Sequence, residues 1–84
     1  PAAVERLQAG ADAGRQPWLL DPAEVALSFA AGELDWAGAE AYPRGDGRTV
    51  EVRGPGGAEV VLTVEQPGRT GERGIWVVTA ARPA

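Results

Sequence analysis

The sequence predicts an α+β fold in which one main helix, possibly preceded by a short helix, packs on a four-stranded antiparallel meander sheet. Three observations predict this class: one stretch has a helix-start signal and a helical apolar pattern, short alternating runs follow it, and turn-forming residues separate those runs. Short connections join antiparallel neighbours in a sheet. Since 84 residues allow one domain only, we expect a single α+β domain over residues 18–84.

Residues 1–17 precede this domain and leave two interpretations open. The stretch 2–10 can form a short helix with Val4 and Leu7 as its sizeable apolar residues, but such a helix is marginal by itself. Residues 10–17 have the Gly, Ala and polar content of a linker. The segment is therefore either a flexible arm or a short helix plus linker that packs beside the main helix.

The main helix is predicted over residues 21–34, DPAEVALSFAAGEL. Asp21 suits the N-cap, Pro22 suits the first helical turn, and Glu24 stands at capping-box spacing from Asp21. At 100° per residue most apolar side chains share one broad arc. The members of this arc are Ala23, Val25, Ala26, Leu27, Phe29, Ala30 and Leu34. We expect this arc to cover one face of the sheet.

Four strands are expected after the helix, at residues 36–42, 48–53, 58–65 and 74–81. The second and third alternate between apolar and polar residues, and the turn between the first two contains the hairpin dipeptide Asp46-Gly47. The tripeptide Arg44-Gly45-Asp46, which integrins read, is more simply a turn. The last strand is apolar on both faces, which indicates a central strand or one covered on both sides.

The side-chain inventory argues against catalysis. The chain has no histidine, cysteine or lysine, so the usual general base near neutral pH, the thiol nucleophile and the Schiff-base amine are all missing. No Asp-x-Asp-x-Asp-Gly loop is present to bind calcium, and the Gly-rich stretch 54–57 lacks the Lys and Ser/Thr of a phosphate-binding loop. We therefore expect a protein that is not an enzyme, with no metal centre and no cofactor.

The charge distribution limits the possible partners. The net charge is −4, and residues 1–42 alone carry two arginines against seven acidic residues. A nucleic-acid-binding protein needs a basic face to displace counterions, so we expect no nucleic-acid partner. We also expect no membrane span, because the chain lacks a run of about eighteen apolar residues.

Three stretches, DPAEVALSFAAGELDW, TVEVRGPGGAEVVLTVEQPG and GIWVVTA, resemble the cystatin-like and NTF2-like helix-on-meander accessory domains of secreted proteins and lipoproteins from Gram-positive bacteria. The resemblance covers about residues 20–81 and depends on the Asp-Pro helix start and on the closing strand at residues 76–79. It implies an extracytoplasmic location and a role in binding or domain assembly. The Ala, Gly, Arg and Pro-rich, lysine-free composition agrees with a G+C-rich bacterium. We expect an excised domain or a processed chain.

These observations favour a non-catalytic interaction domain that binds a neighbouring domain or a second copy through a sheet face. Trp, Tyr and Arg dominate interface hot spots. The interface candidates are Tyr42, Arg53, Val61, Trp76 and Val78. The alternative is a small-ligand carrier with its pocket between Phe29, Leu34 and the sheet, and a cystatin-like protease inhibitor is a further alternative.

Overall fold

Two α-helices precede a four-stranded sheet in the computed structural model, which describes residues 2–84. The helices are α1 (Ala2–Asp12) and α2 (Pro22–Glu33), and a short 3-10 turn, Pro17–Leu20, lies between them. The strands are β1 (Glu40–Pro43), β2 (Thr49–Arg53), β3 (Glu59–Glu65) and β4 (Val77–Pro83). Consecutive strands pair antiparallel in sequence order, which confirms the predicted α+β meander with helices packed on the sheet.

Hydrogen bonds at both ends define where helix α2 begins and ends. The backbone N–H of Ala23 donates to Oδ1 of Asp21 at 2.9 Å, so Asp21 is the N-cap that the sequence predicts. At the other end Asp35 adopts a left-handed conformation with φ of 57°. The N–H of Trp36 then donates to the carbonyl of Ala30 at 2.9 Å, which ends the helix and fixes the direction of the chain into the next loop.

The side of the sheet that faces α2 contains the main hydrophobic cluster. The alternation predicted for the second and third strands places their apolar residues there, packed against α2. The buried members are Ala26, Ala30, Val50, Val52, Val60, Leu62 and Val64. Two of the alanines of α2, Ala26 and Ala30, are 0% exposed. Because an alanine side chain is a single methyl group, α2 approaches the sheet closely and no gap remains at these positions.

A bulge interrupts the pairing of β4 with β3. Val78 lies opposite Val64 and Ala80 lies opposite Thr63, which leaves Thr79 as the extra residue. The side-chain alternation is therefore not continuous along β4. Val78 points to the α2 side of the sheet with Val64, as a member of the apolar set packed against the main cluster.

The residues just before β4 leave the sheet. The strand begins at Val77 rather than at residue 74, and the N–H of Trp76 donates to the carbonyl of Leu19 at 2.8 Å. Ile75 is buried in a second cluster, whose members are Ala11, Leu19, Val25 and Ile75. This cluster explains why the stretch is apolar on both faces although β4 is an edge strand rather than a central one.

The N-terminal segment forms the helix α1, and this helix is docked on the loop that precedes β4. The buried Gln8 side chain donates to the carbonyl of Arg73 at 2.7 Å and accepts from the N–H of Ile75 at 3.0 Å. Asp12 accepts from Nη1 and Nη2 of Arg69 at 2.6 and 2.9 Å. Both contacts connect residues far apart in the sequence.

Candidate functional site

The sheet face that points away from α2, called the open face below, carries a ladder of ion pairs. Glu51 is central, at 3.3 Å from both Arg44 and Arg53, and Arg53 is also 3.5 Å from Glu59. Exposed pairs of this kind contribute about 0–1 kcal/mol each. Their main effect is to balance the charge of this face, which lowers its attraction for a charged partner.

Tyr42 and Arg53, two of the predicted interface residues, lie together on the open face. The guanidinium carbon of Arg53 is 4.9 Å from the centroid of the Tyr42 ring, within cation–π range. The Tyr42 hydroxyl donates to Glu40 at 2.9 Å, and this hydrogen bond raises the pKa of the tyrosine. The hydrogen bond with Glu51 raises the pKa of Arg53. Both polar groups are thus already engaged within the chain.

Val61 is on the open face but offers little surface to a partner. Its cross-strand neighbours are Glu51 on β2 and Arg82 on β4. The valine is 1% exposed. Long charged side chains can cover apolar neighbours with their methylene groups while the charge stays in water. We attribute the burial of Val61 to this cover.

The structure places Trp76 and Val78 away from the other three candidates. Both are half-buried and pack against the two hydrophobic clusters. The expectation that Trp76 and Val78 share a sheet face with Val61 is therefore wrong. The reason is the bulge at Thr79 and the departure of Trp76 from the strand, since one extra residue moves side chains to the other face. The five candidates therefore do not form one continuous patch on the open face.

The residues expected to line a ligand pocket are used for packing. Phe29 and Leu34 lie against the main cluster, and Val52 and Leu62 beneath them are 0% exposed. The space between α2 and the sheet is filled at these positions. Leu34 also borders an open groove at the end of α2.

The outer edge of β4 and the groove beside it form an accessible apolar surface at the sheet. Within residues 2–84 no strand pairs with β4 on the side away from β3. Beyond the end of α2 the helix-facing side of the sheet is uncovered and forms a groove of about 280 Å³, called the edge groove below. Its apolar lining consists of Leu34, Trp36, Val60, Ala81 and Pro83.

Sequence reasoning missed the edge groove because it ended the last strand at residue 81. The structure continues β4 to Pro83. A proline at the end of a run is itself a signal of an edge strand, as it cannot donate to a ladder. The sequence contains that signal at Pro83. It does not show how far α2 extends over the sheet, and this extent leaves the groove open.

Two further structural findings concern metals and membranes. Within the described residues no three acidic side chains come together in an arrangement that could hold a metal ion. Neither α1 nor α2 has the length and apolar character that a bilayer crossing requires.

Comparisons with protein-family models, with curated proteins and with solved structures gave no match to this chain.

Proposed function

We propose that this protein is a non-catalytic interaction domain that pairs with another β-strand along the outer edge of β4. For the isolated chain that strand is the β4 of a second copy. The observation that supports the proposal is the unpaired edge of β4 beside the apolar edge groove. An edge strand presents backbone N–H and C=O groups that an added strand can satisfy, and a neighbouring pocket adds specificity through side chains.

The composition of β4 favours this use of its edge. Proteins commonly protect exposed edges with charged residues, prolines or bulges. β4, VVTAARP, has one charged residue, Arg82, and a bulge at Thr79, so these two features lie on either side of Ala80 and Ala81. Thr79, Ala80 and Ala81 are exposed and small, so a second backbone can approach them closely. Pro83 removes one donor, but only at the end of the strand.

The resemblance to accessory domains of secreted proteins and lipoproteins extends the proposal to the natural setting. There the domain would belong to a bacterial envelope or secreted protein, outside the cytoplasm. In that setting a strand of a neighbouring domain would take the place of the second β4. The edge groove would then receive an apolar side chain of that strand.

The proposal is tested by the oligomeric state of the purified chain across a concentration series, measured by native mass spectrometry and sedimentation. We expect a dimer that forms as concentration rises. Ala81→Lys places a charge in the edge groove and should weaken dimerisation by about tenfold or more, because charged groups are costly at the centre of a desolvated interface.

The matched control is Ala13→Lys, which adds the same charge at an exposed alanine after α1. It should dimerise like the parent chain. Circular dichroism checks that both variants are folded. A chain that stays monomeric up to roughly millimolar concentration, the weak limit of specific association, would contradict the proposed pairing.

A further inference from the structure

A second groove, distinct from β4, runs along the outer side of α2, and we infer that it binds the arginine side chain of a partner polypeptide. The groove has a volume of about 490 Å³. It is lined chiefly by Trp18, Glu24, Leu27, Ser28, Ala31 and Trp36. The inference does not depend on the pairing of β4, since the edge strand contributes no residue to this lining.

The shape of this tryptophan groove follows from helix geometry. Glu24, Leu27, Ser28 and Ala31 have the spacing of one helical face, and they extend over about 10 Å of α2. Trp18 enters from the 3-10 turn before α2, and Trp36 enters from the loop after it. The groove therefore combines an apolar floor with two aromatic walls and one carboxylate.

The two tryptophans differ in how firmly they are held. Trp36 packs against the main cluster, and its backbone N–H donates to the carbonyl of Ala30. Its ring lies so close to Gly54 that a methyl group there would not fit. A wall fixed in this way loses little conformational entropy when a ligand binds. Trp18 is 37% exposed and has an accessible indole surface.

The electrostatics of the groove select a cation. The ion pairs within residues 2–84 involve Asp12, Glu51 and Glu59, and Glu24 takes part in none of them. An occupant that fills the groove displaces water from this carboxylate, so it must supply a compensating charge or donor. The groove also lies in the acidic half of the chain, where residues 1–42 carry two arginines against seven acidic residues. Anions are therefore repelled and cations attracted.

An arginine side chain fits every part of this surface. Its methylene stem suits Leu27 and Ala31, its planar guanidinium can stack on an indole ring, and its N–H groups can donate to Glu24. A lysine would satisfy the charge but not the planar stacking. The length of the groove leaves room for the residues on either side, which is why we assign a polypeptide rather than a free amine.

The test uses the blocked tripeptide acetyl-Gly-Arg-Gly-amide as the probe and the indole N–H signals of the full chain as the readout. The chain has three tryptophans, so a ¹H–¹⁵N spectrum contains three such signals. We expect titration to shift the signals of Trp18 and Trp36 and to leave that of Trp76, which is outside the groove, unchanged. The same tripeptide with citrulline, which is similar in shape but neutral, should bind about three- to tenfold more weakly.

The matched variants are Glu24→Gln and Glu33→Gln, which remove the same charge from the same helix inside and outside the groove. Glu24→Gln should weaken binding by about two- to fivefold, and Glu33→Gln should leave it close to that of the parent chain. Both glutamates are exposed, so both variants should fold.

Three results would overturn the inference. One is equal binding of the arginine and citrulline peptides. Another is equal weakening by the two variants, which would indicate a general charge effect. The third is the absence of a shift at Trp18 and Trp36 up to roughly 10 mM peptide, beyond the affinity range of specific recognition.

Discussion

Trp36 holds its position because residue 54 has no side chain. A Cβ built on Gly54 would lie 2.5 Å from both Cδ2 and Cε3 of the indole ring. Trp36 lines the edge groove and the tryptophan groove, so this single contact supports both surfaces. At the residue scale, the absence of a side chain at Gly54 allows the Trp36 ring to take the position in which it lines both grooves.

Gly54→Ala should therefore displace the Trp36 ring. We expect it to lower the free energy of unfolding by about 1–3 kcal/mol, the usual cost of forcing an extra methyl group into a packed site. Thermal unfolding followed by circular dichroism measures the change. The control is Gly32→Ala on α2, where nothing lies within 4 Å of the added methyl group and the exposed helix should become slightly more stable. Equal effects of the two variants would contradict the proposed role of Gly54.

Asp46 shows how a side chain in a turn can make stability depend on pH. Its carboxylate accepts hydrogen bonds from the N–H groups of Arg48 and Thr49, both at 2.9 Å, and from the Thr49 hydroxyl at 2.7 Å. These bonds, the one from Arg48 N–H first, lower the pKa of Asp46 from 3.8 to about 2. The carboxylate of the Arg-Gly-Asp tripeptide is thus occupied within its own turn.

The sign of the pH effect follows from the lowered pKa. The folded chain favours the charged carboxylate, so Asp46 stabilises the fold above about pH 4, and this contribution is lost as the pH falls from about 4 to about 2. Asp46→Asn should reduce the drop of Tm across this window, and Thr49→Val, which removes one donor, should reduce it less. A parent-like pH profile in Asp46→Asn would refute this assignment.

Among the elements, α1 is held by very few polar contacts, and Gln8 makes the most important of them. Its amide satisfies the carbonyl of Arg73 and the N–H of Ile75, two backbone groups that no strand pairing uses. The Asp12–Arg69 pair beside it is exposed and contributes little. A short helix that would be marginal alone is thus stabilised by the buried Gln8 side chain. This side chain makes hydrogen bonds to backbone groups that a paired strand would otherwise make.

Gln8→Leu keeps a similar volume but leaves the Ile75 N–H without its partner, and the Arg73 carbonyl keeps only the 3.5 Å contact from Nη1 of Arg69. We expect a loss of about 1–3 kcal/mol, the cost of a buried unsatisfied polar group. Hydrogen exchange should report faster exchange of the Ile75 amide. Leu7→Gln, at a position that is 37% exposed on the same helix, serves as the control and should change stability less. Unchanged protection of Ile75 in Gln8→Leu would show that another contact holds α1.

At the scale of the whole molecule, the core is divided into a main cluster between α2 and the sheet and a second cluster beneath α1. Trp76 and Val78 pack against both, so they connect the two. An 84-residue chain buries only about 60% of the surface that it exposes when unfolded. A core this small cannot cover a whole sheet face, which is why the edge groove stays open beyond α2.

The elements whose signals are local could be predicted from the amino-acid sequence. The Asp21 cap, Pro22 and the apolar arc predicted α2, and the alternation in β2 and β3 predicted which of their residues face the helix. These signals depend on neighbours within a few residues of one another, and tertiary contacts reinforce them without changing them.

The positions of the candidate site residues, in contrast, depend on tertiary contacts. The bulge at Thr79 forms between two strands, and one extra residue placed Val78 on the α2 side of the sheet. Val61 is buried because the strands on either side of it bring charged neighbours. Both grooves depend on the positions at which α2 and the turns next to it end. Each of these outcomes depends on contacts between distant segments, which no local period in a sequence records.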